Sequence, residues 1–212
     1  MKTSKNAEQR SLDKALDLLT QMRENAAEEG WLVWKNIPLA KEYYKVISQD
    51  LPIRSDLITP KDIMAFADAI ALESLLDQRD SPRLCLQFLA LRKKARVQAQ
   101  PSDEDYDKRY VMEAEEADNL TDKLEAYIDL SVPMETWLER FGGHLRFDPV
   151  ERTEQWEDCA YEVEKECDRR LSGEPRGMGF CFGYWHTKAA VLRKYGIDWK
   201  SPSVMNPRVM FD

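Results

Sequence analysis

The stretch Thr59-Pro-Lys-Asp-Ile-Met-Ala-Phe-Ala-Asp-Ala-Ile-Ala71 holds the pattern that decides the fold. Thr59 is a good helix N-cap, and Pro60 suits the first helical position, where its missing N–H is no loss and its fixed φ is already helical. Ile63, Phe66, Ala67 and Ile70 then recur at steps of three and four, and Ser74 continues the line. That is the spacing of one buried helix face, not the alternation of a strand.

Working outward, the same grammar repeats. Ser81-Pro82 opens a second helix whose inner face is Leu84, Cys85, Phe88, Leu91 and Ala95. Upstream, Ser11 offers a cap, Leu12, Leu16, Leu19, Met22 and Ala26 trace a face, and Gly30 is a stop. Another helix is expected after Pro38, with Leu39, Tyr43 and Val46 or Ile47 inward. Residues 1–10 are polar and read as a disordered end.

Downstream, Gln98 to Ser102 holds a proline and no large apolar residue, which places a boundary between two halves near Pro101. A long acidic helix is expected from Ser102, and a short one from Pro133 to Phe141, closed by Gly142-Gly143. His144 to Phe147 alternate apolar and polar and are expected as a brief β element at 144–147. Trp156, Ala160, Val163, Cys167 and Leu171 give the face of the next helix. The glycine-rich stretch 172–179 is a loop, and the last helix runs from about Phe180 to Tyr195, with Gly196 as its stop. The remaining residues lack a period but hold Ile197, Trp199, Val204, Met205, Val209, Met210 and Phe211, so an irregular C-terminal tail packed on the body is expected. The expectation is an all-α helical bundle of about seven or eight helices. Its divisions are 1–10, an N-terminal half 11–100 and a C-terminal half 101–212, or one continuous domain.

Composition agrees. Charged residues make up 33% of 212, above the usual share of about 25%, which favours helices with wide solvated faces. The net charge of −8 is unevenly placed. From Ser172 onward, Arg176, Lys188, Arg193, Lys194, Lys200 and Arg208 outnumber Glu174, Asp198 and Asp212, so this segment is basic while the rest carries the whole acidic excess. Such asymmetry points to an electrostatic partner or to docking between the two parts. No apolar run approaches 18 residues, so no membrane partner is expected. Residues 1–10 lack a signal-peptide core, and four scattered cysteines suit reduced thiols, so a cytoplasmic location is expected.

The motifs that would carry catalysis are weak or absent. Glu113-x-x-Glu116 and Glu154-x-x-Glu157 each place two carboxylates on one helix face, and two such faces could hold Mg²⁺ in a small all-α nucleotide hydrolase. In a chain this rich in Glu, chance pairs on solvated faces are the plainer reading. The Glu-x-x-His motif of a di-iron bundle is missing. Cys159 and Cys167 lie about 12 Å apart along one helix, too far to share a zinc ion, and read as buried thiols. The run Gly177-Met-Gly179-Phe-Cys-Phe-Gly183 misses a dinucleotide-binding pattern, since Phe182 stands at the third glycine's place and no strand precedes it. No cofactor or metal is expected.

Two basic features remain. Arg92, Lys93, Lys94 and Arg96 crowd into five positions near a helix C-terminus, where the helix dipole already favours cations. In the C-terminal segment Arg176, Lys188, Arg193, Lys194 and Lys200 mix with aromatic residues, Trp199 among them. These ten residues are the candidate macromolecule-binding set. At helical spacing Trp185, Ala189 and Leu192 read as core, and Lys188, Arg193 and Lys194 as exposed. The leading expectation is a non-enzymatic interaction or regulatory protein that binds a protein partner through a charged helical surface, for example as an inhibitor or immunity-type partner of a nucleic-acid enzyme. The Mg²⁺-dependent hydrolase is one alternative. A nucleic-acid binder that uses the basic aromatic segment is the other.

Overall fold

The computed structural model describes residues 2–28, 30–99 and 108–211. Among them are nine α-helices joined by short 3₁₀ and π turns, and no strand, so the chain is all-α. It divides into two compact units, Met1–Glu125 and Ala126–Asp212. The division expected near Pro101 falls outside the described residues.

The first unit contains α1 (Lys2–Glu28), α2 (Asn36–Lys45), α3 (Pro60–Ala71), α4 (Pro82–Ala99) and most of α5 (Lys108–Ile128). Residues 2–10, within the stretch 1–10 read from sequence as disordered, belong to α1. Side-chain pairing supports helix there without a buried face: Gln9 donates to Asp13 four residues on within α1, and Lys5 pairs with Asp56 outside it. α3 starts as its sequence dictates. The Thr59 hydroxyl accepts from the Asp62 N–H while the Asp62 carboxylate accepts from the Thr59 N–H, a reciprocal cap. Ser81 behaves differently from Thr59. Its hydroxyl is buried with no hydrogen-bond partner, so it caps nothing.

Tyr43 is fully buried between Phe66 and Phe88, and its hydroxyl donates to the Phe66 carbonyl. Asn36 is also fully buried. Its amide donates to the Met22 and Leu75 carbonyls and accepts from Asn25, so one polar side chain ties α1, α2 and the α3–α4 connection together. A buried amide tolerates its surroundings only when satisfied in this way.

The second unit begins at the last turn of α5 and contains α6 (Met134–Phe141), α7 (Glu154–Arg170), α8 (Phe180–Leu192) and the short α9 (Pro202–Met205). Two apolar clusters hold it. One joins Tyr127, Trp137 and Phe147. The other joins Trp156, Cys159, Val163 and Cys167 of α7 to Val191 and Leu192 of α8 and to Ile197 and Trp199 beyond it. Arg152, 2% exposed, sits beneath the end of α5 and donates to the carbonyls of Ala126, Tyr127, Asp129 and Val132. The end of a helix leaves carbonyls such as these short of donors, although the Asp129 carbonyl also accepts from the Val132 N–H, and a cation there also meets the negative end of the dipole.

The β element expected at 144–147 does not form. An extended segment needs a neighbouring strand for its backbone, and none is present among the described residues. A side chain takes that role. The Asn206 amide accepts from the Arg146 N–H at 2.8 Å and donates to the Arg146 carbonyl at 2.7 Å, the two-point pairing a strand would have supplied. Nearby, the Lys200 N–H donates to the Asp148 carboxylate and the Trp199 indole to Glu151, which seat the C-terminal segment on its unit.

Candidate protein-interaction face

α8 reads Phe-Cys-Phe-Gly-Tyr-Trp-His-Thr-Lys-Ala-Ala-Val-Leu, and Lys188 is its one charged residue. A surface helix normally pairs an apolar stripe with a charged face. Here apolar residues lie all round. Gly179, with φ 81°, supplies the left-handed turn that launches the helix, and no side chain caps its first turn.

The inward face holds the charge. Lys188 Nζ lies 2.6 Å from Glu164 Oε1 of α7, and both side chains are 10% exposed. The Tyr184 hydroxyl donates to the same carboxylate at 2.7 Å. The ammonium also stands over the rings of Trp156, Tyr184 and Trp199, 4.9, 5.7 and 5.9 Å from their centroids. A desolvated cation enclosed by a carboxylate and three π faces is well compensated. Cys167 lies beside this cluster. Burial, with the Glu164 charge adding to it, pushes its thiol up to about 12, so it remains protonated at neutral pH.

The outward face is apolar and open. Phe182 is 47% exposed, and its ring meets Trp185 edge-on at 5.5 Å. Trp185 in turn meets Phe211 of the C-terminal segment edge-on at 5.0 Å. Met178, 93% exposed, precedes α8 in sequence, and Met210, 95% exposed, precedes Phe211. Cations flank the helix. Arg176, ahead of α8, stacks on Phe180 and reaches Asp168 at 3.2 Å. Exposed Arg193 and Lys194 follow the helix, with Lys194 4.0 Å from Glu166. Arg169 and Arg170 hydrogen-bond Glu166 and hold its carboxyl down to about 2, so it keeps its charge at any ordinary pH.

Of the ten residues expected to bind a macromolecule, three are not on the surface. Lys188 is buried in the cage just described. Trp199 is part of the core. Arg92 is 2% exposed and its Nε lies 2.5 Å from Asp68, so the cluster at 92–96 is not a continuous cationic patch. Lys93 and Lys94 are exposed, while Arg96 pairs with Asp118 at 3.6 Å. These four residues belong to the first unit. Arg176, Arg193, Lys194 and Lys200 are exposed in the second.

The glutamate pairs also divide, with Glu113 and Glu116 in the first unit and Glu154 and Glu157 in the second. Among the described residues no three of His, Cys, Asp and Glu are grouped to hold a metal ion. Cys85, Cys159 and Cys167 are buried thiols outside any disulfide, and the thiol of Cys181 is half-buried. No described helix is long and apolar enough to cross a membrane.

Sequence reasoning missed Met178, Phe182 and Met210 as surface residues. For Phe182 the signal is the absence of any outward charge on α8. No protein-family model, curated protein or solved structure matches the chain.

Proposed function

We propose that the chain is a non-enzymatic interaction protein that binds another protein through the outward face of α8 and the C-terminal segment beside it. One observation carries this reading. The only charge on α8 is turned inward, so its outer side offers Phe182 to solvent, with half-buried Trp185 beside it and no charged residue of the helix between them. Exposed large apolar side chains are costly to leave in water, and aromatic and methionine residues are types that anchor protein interfaces. Methionine also adapts its shape to a partner.

The test compares captures. Tagged wild-type chain, a Phe182→Ser/Met210→Ser variant and a Lys93→Glu/Lys94→Glu variant are each incubated with extract from the native cells, and bound proteins are quantified by mass spectrometry. The reading expects a stoichiometric protein that the first variant loses and the second retains. Identical captures by all three, or recovery of nucleic acid alone, would overturn it.

A further inference from the structure

Resting on that reading, we infer that the partner presents an acidic amphipathic helix, whose apolar side chains cover Phe182, Trp185 and Phe211 and whose carboxylates meet the cations that follow α8. Shape comes first. α8 has 13 residues and so offers a rod about 20 Å long. Phe182 and His186, four residues apart, are exposed on its outer face, and exposed Arg193 follows its last residue. The ladder of Phe182, Trp185 and Phe211 broadens that face at its side, with ring planes 83° and 88° apart. An uneven apolar strip of this length matches another helix laid along it, with large side chains at steps of three and four.

Charge complementarity then selects the partner. Arg176 lies before the helix, and Arg193 and Lys194 after it. Lys200 and Arg208 are exposed on the segment that carries Phe211. Arg176 has Asp168 within 3.2 Å, and Lys194 has Glu166 at 4.0 Å, so these two are partly neutralised. Against Arg193, Lys200 and Arg208 the described part of this segment sets only Glu174 and Asp198, so the rim remains cationic within a chain whose total charge is −8. A basic partner would meet like charge at Arg193 and Lys194, whereas an acidic one gains there. Nucleic acid matches the cations less well, because it would meet the acidic remainder of the chain.

The experiment measures fluorescence anisotropy of labelled probes with the full chain. The first probe is a helical peptide with Leu at steps of three and four and Glu elsewhere. The second has Lys in place of every Glu, and the third is a single-stranded oligothymidine. The inference expects the acidic peptide to bind and the basic one not to bind. Affinity should fall with added salt, drop about tenfold or more in Phe182→Ser, and drop again in Arg193→Glu/Lys194→Glu. Thermal unfolding of both variants should match wild type, since these side chains are on the surface. Equal binding of both peptides, tighter binding of the oligonucleotide, or no binding by the acidic peptide overturns the inference. So does sedimentation showing that this face is closed by a second copy of the chain. If the acidic peptide fails while the capture experiment still finds a partner lost in Phe182→Ser/Met210→Ser, the interaction reading stands and only the acidic-helix assignment falls.

Discussion

Replacing Lys188 by Met removes one charge from a place built for two. Met preserves most of the side chain's length and volume, so the packing between α7 and α8 is little changed. The electrostatics are not preserved. Glu164, with a side chain 10% exposed, keeps the Tyr184 hydroxyl but loses the ammonium at 2.6 Å. Breaking a buried pair from one side costs about 3–5 kcal/mol, because the surviving charge remains out of water. Loss of the cation above three aromatic rings adds roughly 0.5–2 kcal/mol. With a urea slope of about 2 kcal/mol/M, the unfolding midpoint of Lys188→Met should fall by roughly 2 M. Adding Glu164→Gln removes the stranded charge while leaving an amide for Tyr184 to hydrogen-bond. The double variant should therefore recover to within about 2 kcal/mol of wild type. The assay is urea unfolding at pH 7, followed by circular dichroism and by tryptophan fluorescence, for wild type, both single variants and the double. A loss below about 1 kcal/mol in Lys188→Met, or a double variant no better than Lys188→Met alone, would refute the buried-pair argument.

Four further outcomes are expected. Burial raises the Cys167 thiol from 9.0 to about 12, so above pH 9 the unfolded chain releases a proton that the folded chain retains. Stability should then decline between pH 9 and 12, and less steeply in Cys167→Ala; parallel declines would contradict this. At pH 8 iodoacetamide should label half-buried Cys181 ahead of buried Cys85, Cys159 and Cys167, and peptide mass spectrometry showing equal rates would refute that order. Arg152→Lys substitutes three donors on a point charge for a planar fork that reaches four carbonyls, so it should cost about 2–3 kcal/mol in urea unfolding; a loss under about 0.5 kcal/mol would mean those carbonyls find other donors. Ser81→Ala removes a buried hydroxyl without a partner and should stabilise by up to about 1 kcal/mol, whereas a destabilisation of that size would show that the hydroxyl is bonded in solution.

Helix positions are legible where a cap and a period coincide. Thr59-Pro60 with Ile63, Ala67 and Ile70 fixes α3, and those three side chains are buried as the spacing requires. The all-α class follows from such segments. The site is much less legible, for two physical reasons. α8 carries apolar residues on every side, so periodicity cannot tell its inner face from its outer one. A lysine among aromatics then reads as exposed when Glu164, 24 positions earlier, has drawn it inside. Arg92 misleads in the same way, because its partner Asp68 lies on α3 while its sequence neighbours are other cations. The alternation at 144–147 is real, but pairing is a property of two segments, and the second proves to be one asparagine side chain 60 positions away.

That asparagine has a consequence for the order in which the chain matures. Arg146 is joined to Asn206, Asp148 to Lys200, and Glu151 to Trp199, across 60, 52 and 48 positions. While the chain is being synthesised from its N-terminus, Met1–Glu125 has all its internal partners available long before these late residues exist. The second unit must wait with Trp156 and Val163 uncovered until Ile197 and Trp199 emerge. Its closure is therefore a late, long-range event, slow by the standards of helical proteins and open meanwhile to non-native association.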